Sequence, residues 1–162
     1  MNKAELEKAF IEEVKMNERL IYKVCSFYAS DDDPLCDLYQ DVVCNLWIAF
    51  PKFRGDCAVS TWIYRIALNT CISNLRRKKR SIQNIDLQQL QDIFIQPEDL
   101  TEELKEMYRL IRQLGNLERA IILLYLEEKS YQEISDITGL SLSNVAVRIK
   151  RIKEKLIKMS NL

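Results

Sequence analysis

Residues 130–156 read Ser130-Tyr131-Gln132-Glu133-Ile134-Ser135-Asp136-Ile137-Thr138-Gly139-Leu140-Ser141-Leu142-Ser143-Asn144-Val145-Ala146-Val147-Arg148-Ile149-Lys150-Arg151-Ile152-Lys153-Glu154-Lys155-Leu156. Ser130 with Glu133 three residues later forms a capping box: the Ser hydroxyl accepts from the Glu133 N–H, and the carboxylate reaches back to the Ser N–H. A short helix is expected to start there, with Ile134 and Ile137 as its apolar edge. Gly139 suits the left-handed conformation that ends a helix, and Ser141 suits the cap of the next one. The turn between them is too short for antiparallel stacking, so the stretch predicts helix, tight turn, helix.

The second helix of that pair has two faces. With each residue advancing about 100° around the axis, Val145, Ile149, Ile152 and Leu156 share one arc, while Asn144, Arg148, Arg151, Lys155 and Lys158 share another. One face packs and the other stays basic. Such a helix fits the major groove, where Arg, Lys, Asn and Ser donate to phosphates and base edges and the N-terminal residues lie deepest.

Outward from this motif, 162 residues with 48% hydrophobic side chains allow one ordinary domain or two small ones. Three Gly and three Pro are few, and no strand-like alternation recurs, so the expected fold class is all-α: two small helical domains joined by a flexible linker. The N-terminal segment is amphipathic and charged, and no stretch approaches the roughly eighteen uncharged apolar residues of a membrane span. A cytoplasmic location without membrane insertion is expected. The chain has no histidine, which excludes Ser-His-Asp and Cys-His catalysis. Five cysteines, Cys25, Cys36, Cys44, Cys57 and Cys71, lie in the first half with no CxxC pair, and they are expected to be reduced thiols in or near the core. The expectation is therefore no enzyme, no catalytic residue, no metal site and no cofactor.

Net charge is zero, from 24 basic and 24 acidic residues, yet the basic charge is concentrated at Arg76-Arg77-Lys78-Lys79-Arg80 and between Arg148 and Lys158. A nucleic-acid partner is indicated, with weak unaided binding because the total is neutral.

The first half predicts a helical stretch over about 3–29, bent near Asn17, with Leu6, Phe10, Val14, Leu20, Val24 and Phe27 at three- and four-residue spacing. Asp33 is expected as the N-cap and Pro34 as the first residue of a second helix running to about Phe50. Its inward stripe is Tyr39, Val42, Val43, Leu46 and Phe50. Asp37, Gln40, Asp41, Cys44, Asn45 and Ile48 share the other side, an acidic and apolar mixture suited to a protein partner. Residues 51–60 form a loop with Gly55, and a third helix runs over about 61–79. That helix is apolar nearly all round, apart from a stripe of Trp62, Arg65, Asn69, Ser73 and Arg76. An aromatic ring, guanidiniums and an amide on one face can stack an unpaired base and hold its phosphates, each stacked base contributing about 1–3 kcal/mol. Residues 81–100 read as a linker, and the acidic cluster Glu98, Asp99, Glu102 and Glu103 at its end suits a helix start near Thr101.

These residues carry a resemblance. Asp37-Leu38-Tyr39-Gln40-Asp41-Val42, Leu46-Trp47, Phe53-Arg54-Gly55, Ser60-Thr61-Trp62-Ile63-Tyr64-Arg65-Ile66-Ala67, Asn69 and Leu75-Arg76-Arg77 closely resemble region 2 of the extracytoplasmic-function sigma factors of the sigma-70 family. Leu117-Glu118-Arg119, Ser130-Tyr131-Gln132-Glu133-Ile134, Gly139-Leu140-Ser141, Val145, Arg148 and Arg151 resemble region 4. The resemblance implies region 2 over 1–80, a linker over 81–100 and region 4 over 101–162. On this resemblance the intermediate region 3 domain and any further domain after Leu162 are expected to be missing, as in the smallest class of the family.

It implies RNA polymerase core (clamp helices and flap) and promoter DNA as partners, and an anti-sigma factor as the holder of many members. Asp37, Gln40, Asp41, Asn45 and Ile48 would dock on the polymerase. Arg54, Asp56, Ser60, Thr61, Trp62, Arg65, Asn69, Arg76 and Arg77 would bind and open the −10 element. Ser141, Ser143, Asn144, Arg148, Lys150, Arg151 and Lys155 would read the −35 element. Two departures bear on the −10 stripe: Leu68 stands where many relatives carry a basic residue, and Ser73 replaces a frequent Asp.

The alternatives are a free-standing helix-turn-helix transcriptional regulator, which would bind its site tightly alone, and a protein-binding module, which would be indifferent to loss of Arg148 and Arg151.

Overall fold

The computed structural model describes residues 2–76 and 101–161. They fold as helices, with no strand among the described residues, in two compact units split between Gln96 and Pro97. The all-α expectation holds. Arg77, the linker over 81–100, Glu98 and Asp99 lie outside the described residues, as does the side chain of Arg76.

In the first unit, α1 spans Lys3–Met16 and α2 Glu18–Tyr28. A reciprocal capping box starts α1, with Asn2 and Glu5 bonded at 2.8 and 3.0 Å. The expected bend falls at Asn17, whose backbone N–H closes α1 on Glu13 and Val14 and whose side-chain amide donates to the Glu13 carbonyl at 2.9 Å. With its side chain and N–H closing α1 and its carbonyl accepting from Ile21 to open α2, Asn17 needs no loop between the two helices.

The start of α3, Leu35–Ala49, lies one residue later than expected. Pro34 holds the cap position in an extended conformation, and its carbonyl accepts from Asp37 and Leu38. Asp33 instead closes a tight turn with Ser30, through Asp33 N–H to Ser30 Oγ and Ser30 N–H to the Asp33 carbonyl. Proline favours an extended neighbour before it, and this places Asp33 outside the helix. A 3-10 turn over Phe50–Lys52 then shortens the expected loop, and α4 begins at Val59 and continues through Arg76.

The core forms where α2, α3 and α4 pack on one another. It contains Ile21, Val24, Phe27 and Tyr28 from α2, Leu38, Val42, Val43 and Leu46 from α3, and Ile63, Ala67, Leu68 and Cys71 from α4. Each large aliphatic or aromatic side chain buried there contributes about 1.5–3 kcal/mol. Leu68 is among them, so the position where many relatives are basic is here turned into the core.

In the second unit α5 spans Glu102–Arg112, α6 Asn116–Leu126, α7 Tyr131–Thr138 and α8 Leu142–Ser160. Thr101 caps α5 by accepting from Leu104, and Glu102 and Glu103 sit in its first turn, favourable to the helix dipole. α6 is the centre: Ala120 through Leu124 are all buried, and α5, α7 and α8 each pack on it. Arg119 Nε donates to the Leu114 carbonyl at 2.9 Å, tying the start of α6 to the end of α5.

Two residues in left-handed conformation shape the turns on either side of α7. Gly139 at φ +80° ends α7, with open space where a Cβ would stand. Glu128 at φ +60° ends α6 in a Schellman arrangement, with Lys129 N–H bonded to the Leu124 carbonyl and Glu128 N–H to that of Tyr125. The glycine carries the first without strain, whereas the glutamate holds the second against its own Cβ.

Glu128→Gly is therefore expected to raise stability by about 1 kcal/mol, and Gly139→Ala to lower it by about 1–2 kcal/mol; urea unfolding followed by circular dichroism checks both. Thiol titration gives a second expectation. A hydrogen bond with Cys71, then burial, pushes Cys25 well above the ordinary 9.0, and burial, then the Asp41 carboxylate, raises Cys44. A thiol harder to ionise in the folded state stabilises it fully below its unfolded pKa, and this contribution is lost as pH rises. Stability of the first unit should thus fall above about pH 9, and the fall should flatten in Cys25→Ala; an alkaline series of melting curves measures it.

Candidate nucleic-acid interface

Local chemistry builds the recognition end of α8. Ser141 caps it by accepting from Asn144 N–H at 3.2 Å, and Ser141 Oγ lies 3.4 Å from Ser143 Oγ. Only half of the box expected at α7 forms: Ser130 Oγ accepts from Glu133 N–H at 3.1 Å, while Glu133 points to solvent. That half suffices, because Ser135 Oγ bonds the Leu140 carbonyl and the Thr138 hydroxyl accepts from Leu140 N–H, closing the turn.

Val145, Ile149 and Ile152 are buried and Leu156 is half-buried, which sets the opposite arc outward. On that arc Arg148 Nε donates to Asn144 Oδ1 at 2.9 Å. One lone pair of the amide oxygen is used, and the pair presents mainly its remaining N–H groups, a donor-rich surface for phosphate oxygens or the acceptor edge of a base. Ser143, Lys150 and Arg151 are exposed beside it. Lys155 differs from the rest: its ammonium lies 3.4 Å from Glu118 at the start of α6. Both groups are substantially solvated, so this pair contributes little to stability but competes for the lysine.

Val147 was not singled out by the sequence pattern. It is 47% exposed, one turn beyond Ser143 and one turn before Arg151, and an exposed aliphatic group among donors suits a thymine methyl. Its place on the wheel between Ser143 and Arg151 was the available signal.

The side of α8 turned away from this arc lines an open groove of about 480 Å³ against α5 and α6, walled by Leu110, Ile122, Tyr125, Leu126, Leu156 and Ile157. Lys153 closes one edge, its ammonium 2.6 Å from the Tyr125 hydroxyl and 4.2 Å from the ring centre. Sequence reading missed the groove because its walls come from three helices.

In the first unit the expected docking face is divided. Asp37 and Gln40 are half-buried, and Ile48 is 68% exposed. Asp41 and Cys44, expected on the outside, are buried, and Leu38, left off the inward stripe, is in the core. The cause is that α3 packs on more than one side: α2 covers one flank and α4 another. Asp41 Oδ2 accepts from Asn74 at 2.6 Å and Asn45 donates to Thr70 Oγ1 at 2.9 Å, so both face α4.

Along α4, Asn69 and Ser73 are exposed, while Ser60, Thr61, Trp62 and Arg65 are half-buried. Trp62 is not open on both sides. Its ring lies 4.9 Å from Phe53 and 6.3 Å from Phe50, and Phe50 continues to Phe10, which meets Trp47 at 5.0 Å. This run of rings joins α1, α3, the 3-10 turn and α4, and no single helical wheel contains it. It fixes the indole and leaves a stacking partner only the side away from Phe53. Arg65 Nη1 reaches Cys57 Sγ at 3.7 Å across the loop, in which Arg54 and Asp56 are exposed and Gly55 turns at φ +77°.

Two family models match the chain, Sigma-70 region 2 over residues 14–81 and Sigma-70 region 4 over residues 104–156. The ECF RNA polymerase sigma-E factor of Escherichia coli (strain K12) is 31% identical over 157 residues, spanning 88% of this chain and 81% of that protein. The chain belongs to the extracytoplasmic-function sigma factors of the sigma-70 family. It is a promoter-directing subunit of transcription initiation. The sigma-E factor of Haemophilus influenzae is 29% identical over 93% of this chain and 86% of its own length. Two solved structures share the fold: CnrH in complex with the cytosolic domain of CnrY, with a TM-score of 0.67 and 23% identity over 96% of this chain and 89% of that one, and the sigma factor RpoE in complex with the anti-sigma factor NepR from Bartonella quintana, with 0.73 and 19% over 96% and 98%. No helix among the described residues of this sigma factor is long and apolar enough to cross a membrane.

If the Asn144–Arg148 pair reads a base edge, Arg148→Ala should relax discrimination at one position of the −35 element by about 1–3 kcal/mol, whereas Lys150→Ala should weaken binding evenly across sequences. A competition assay over single-base variants of the element separates the two.

Proposed function

We propose that residues 1–80 of this sigma factor bind the polymerase core and open the −10 element, that 101–162 read the −35 element, and that 81–100 join them. Support for the second part comes from the donor-rich Asn144–Arg148 pair at the capped start of α8, with Ser141, Ser143, Lys150 and Arg151 around it and Val147 among them. A helix N-terminus with free donors favours phosphate as well as base edges. For the first part, Trp62 backed by Phe53 offers one ring face beside Arg65 and Asn69, and Arg54, Asp56, Ser60 and Thr61 line the loop before it. Arg76 and Arg77 would hold the strand beyond. Asp37, Gln40 and Ile48 dock on the clamp helices, and the apolar groove on the far side of α8 suits the flap, since α8 then touches DNA and protein on opposite faces.

Opening a duplex needs unstacking of several bases at a few kcal/mol each. A neutral chain of 162 residues with few phosphate contacts per unit does not supply this alone. Held by the core on one duplex, the second contact becomes intramolecular, and two weak modules give a specific whole. The protein acts in the cytoplasm, without catalysis of its own, on promoter DNA and RNA polymerase, and an anti-sigma factor that covers these surfaces would hold it inactive.

Transcription from a matched promoter by core enzyme, with and without the protein, tests the role: initiation is expected only with it, and equal initiation in both would reject it. Replacing Arg148 and Arg151 by Ala is expected to reduce −35-dependent initiation at least tenfold, the loss of about 1–3 kcal/mol per contact.

A further inference from the structure

Two side-chain hydrogen bonds join α3 to α4 with the period of both helices. Asp41 Oδ2 accepts from Asn74 Nδ2 at 2.6 Å. One turn further along α3, and one turn back along α4, Asn45 Nδ2 donates to Thr70 Oγ1 at 2.9 Å. The Thr70 hydroxyl donates its own O–H to the Ile66 carbonyl at 2.7 Å, so it donates once and accepts once. Asp41 is 9% exposed and Thr70 5%, whereas Asn45 is exposed beside its bond to Thr70.

Partners spaced by four residues on both helices, paired in opposite order, fix rotation and axial position together. A slip of one residue turns α4 by about 100° and breaks both bonds at once. Apolar contacts between the same helices are non-directional and tolerate small sliding, whereas a hydrogen bond weakens steeply once its angle falls below about 120°. The direction of Trp62, Arg65 and Asn69 follows from the register that the two bonds set.

We propose that Asp41 and Asn45 are positioning residues for promoter opening, holding α4 in register through Asn74 and Thr70. This rests on the reading of α4 as the −10 helix. Within the face that the sequence implied for docking, Asp41 and Asn45 are residues whose side chains also bond to α4.

The test uses the full chain assembled with core enzyme. Asn74→Asp sets two carboxylates against each other without altering any docking residue. Adding Asp41→Asn restores a donor opposite an acceptor with the roles exchanged. Thr70→Val removes the second bond at nearly constant volume. Core affinity is measured by titration of a labelled chain, and the rate of strand opening by fluorescence of a base analogue in the −10 element, at a temperature where circular dichroism shows every variant folded.

Asn74→Asp and Thr70→Val are expected to slow opening about tenfold with core affinity unchanged within about twofold, and the exchange to restore opening to within about threefold. Fully folded protein that opens slowly and recovers on exchange distinguishes positioning from stability alone. The proposal is overturned if Asn74→Asp and Thr70→Val open at the parental rate, if the exchange does not recover, or if chains carrying Asp41→Asn lose core affinity tenfold. If the parent holoenzyme itself opens no promoter, the reading of α4 fails and the proposal falls with it, a result separable from the others.

Discussion

Ile63, Tyr64, Ala67, Leu68 and Cys71 of α4 are buried against the rest of the first unit, while Asn69 and Ser73, within two residues of them, stand in solvent. α8 divides in the same way, with Val145, Ile149 and Ile152 inside and Arg151 outside. Each unit has to close a core around a helix that must keep one side free, and in so small a domain the buried side has little area to spare. The two units meet this constraint differently. In the second, α6 is enclosed and α8 rests on it with its outer arc untouched. In the first, α3 and α2 cover α4 on two flanks, and directional bonds and a run of aromatic rings fix what apolar packing leaves loose.

What the sequence disclosed follows the range of the interactions involved. The helix-turn-helix was legible because its determinants are local: Ser130 and Ser141 cap within three residues, and Gly139 takes its positive φ whatever surrounds it. The bend at Asn17 was legible for the same reason. Burial of Asp41 and Cys44 was not, because it depends on which helix lies across α3, and a wheel drawn for one helix treats everything off the apolar stripe as solvent. Asp33 was misread as a cap because its turn with Ser30 competes with the helix for the same backbone.

The functional surface was legible in part. A wheel gathered the basic arc of α8 but gave no hint that Arg148 is already bonded to Asn144, or that Lys155 is drawn toward Glu118. It grouped Trp62 with Arg65 and Asn69 but not with Phe50 and Phe53, which come from the preceding turn and loop. The groove beside α8 has walls from α5, α6 and α8, so only the tertiary structure reveals an apolar groove on the side of this helix away from its basic arc.

Charge connects these surfaces to the mechanism. Equal numbers of acidic and basic residues leave no net charge to draw the chain to DNA, and on the basic arc of α8 one lysine is held by a neighbouring carboxylate. Specificity must then come from holding both units on one duplex. The most direct measurement is the affinity of one promoter duplex for the free chain and for the chain bound to core polymerase, at the same near-physiological salt. Binding by the free chain no tighter than to unrelated DNA, about 10⁻⁴–10⁻⁶ M, with affinity at least a thousandfold higher in the core-bound state, is the expected result. Equal, sequence-specific affinity in both states would contradict it.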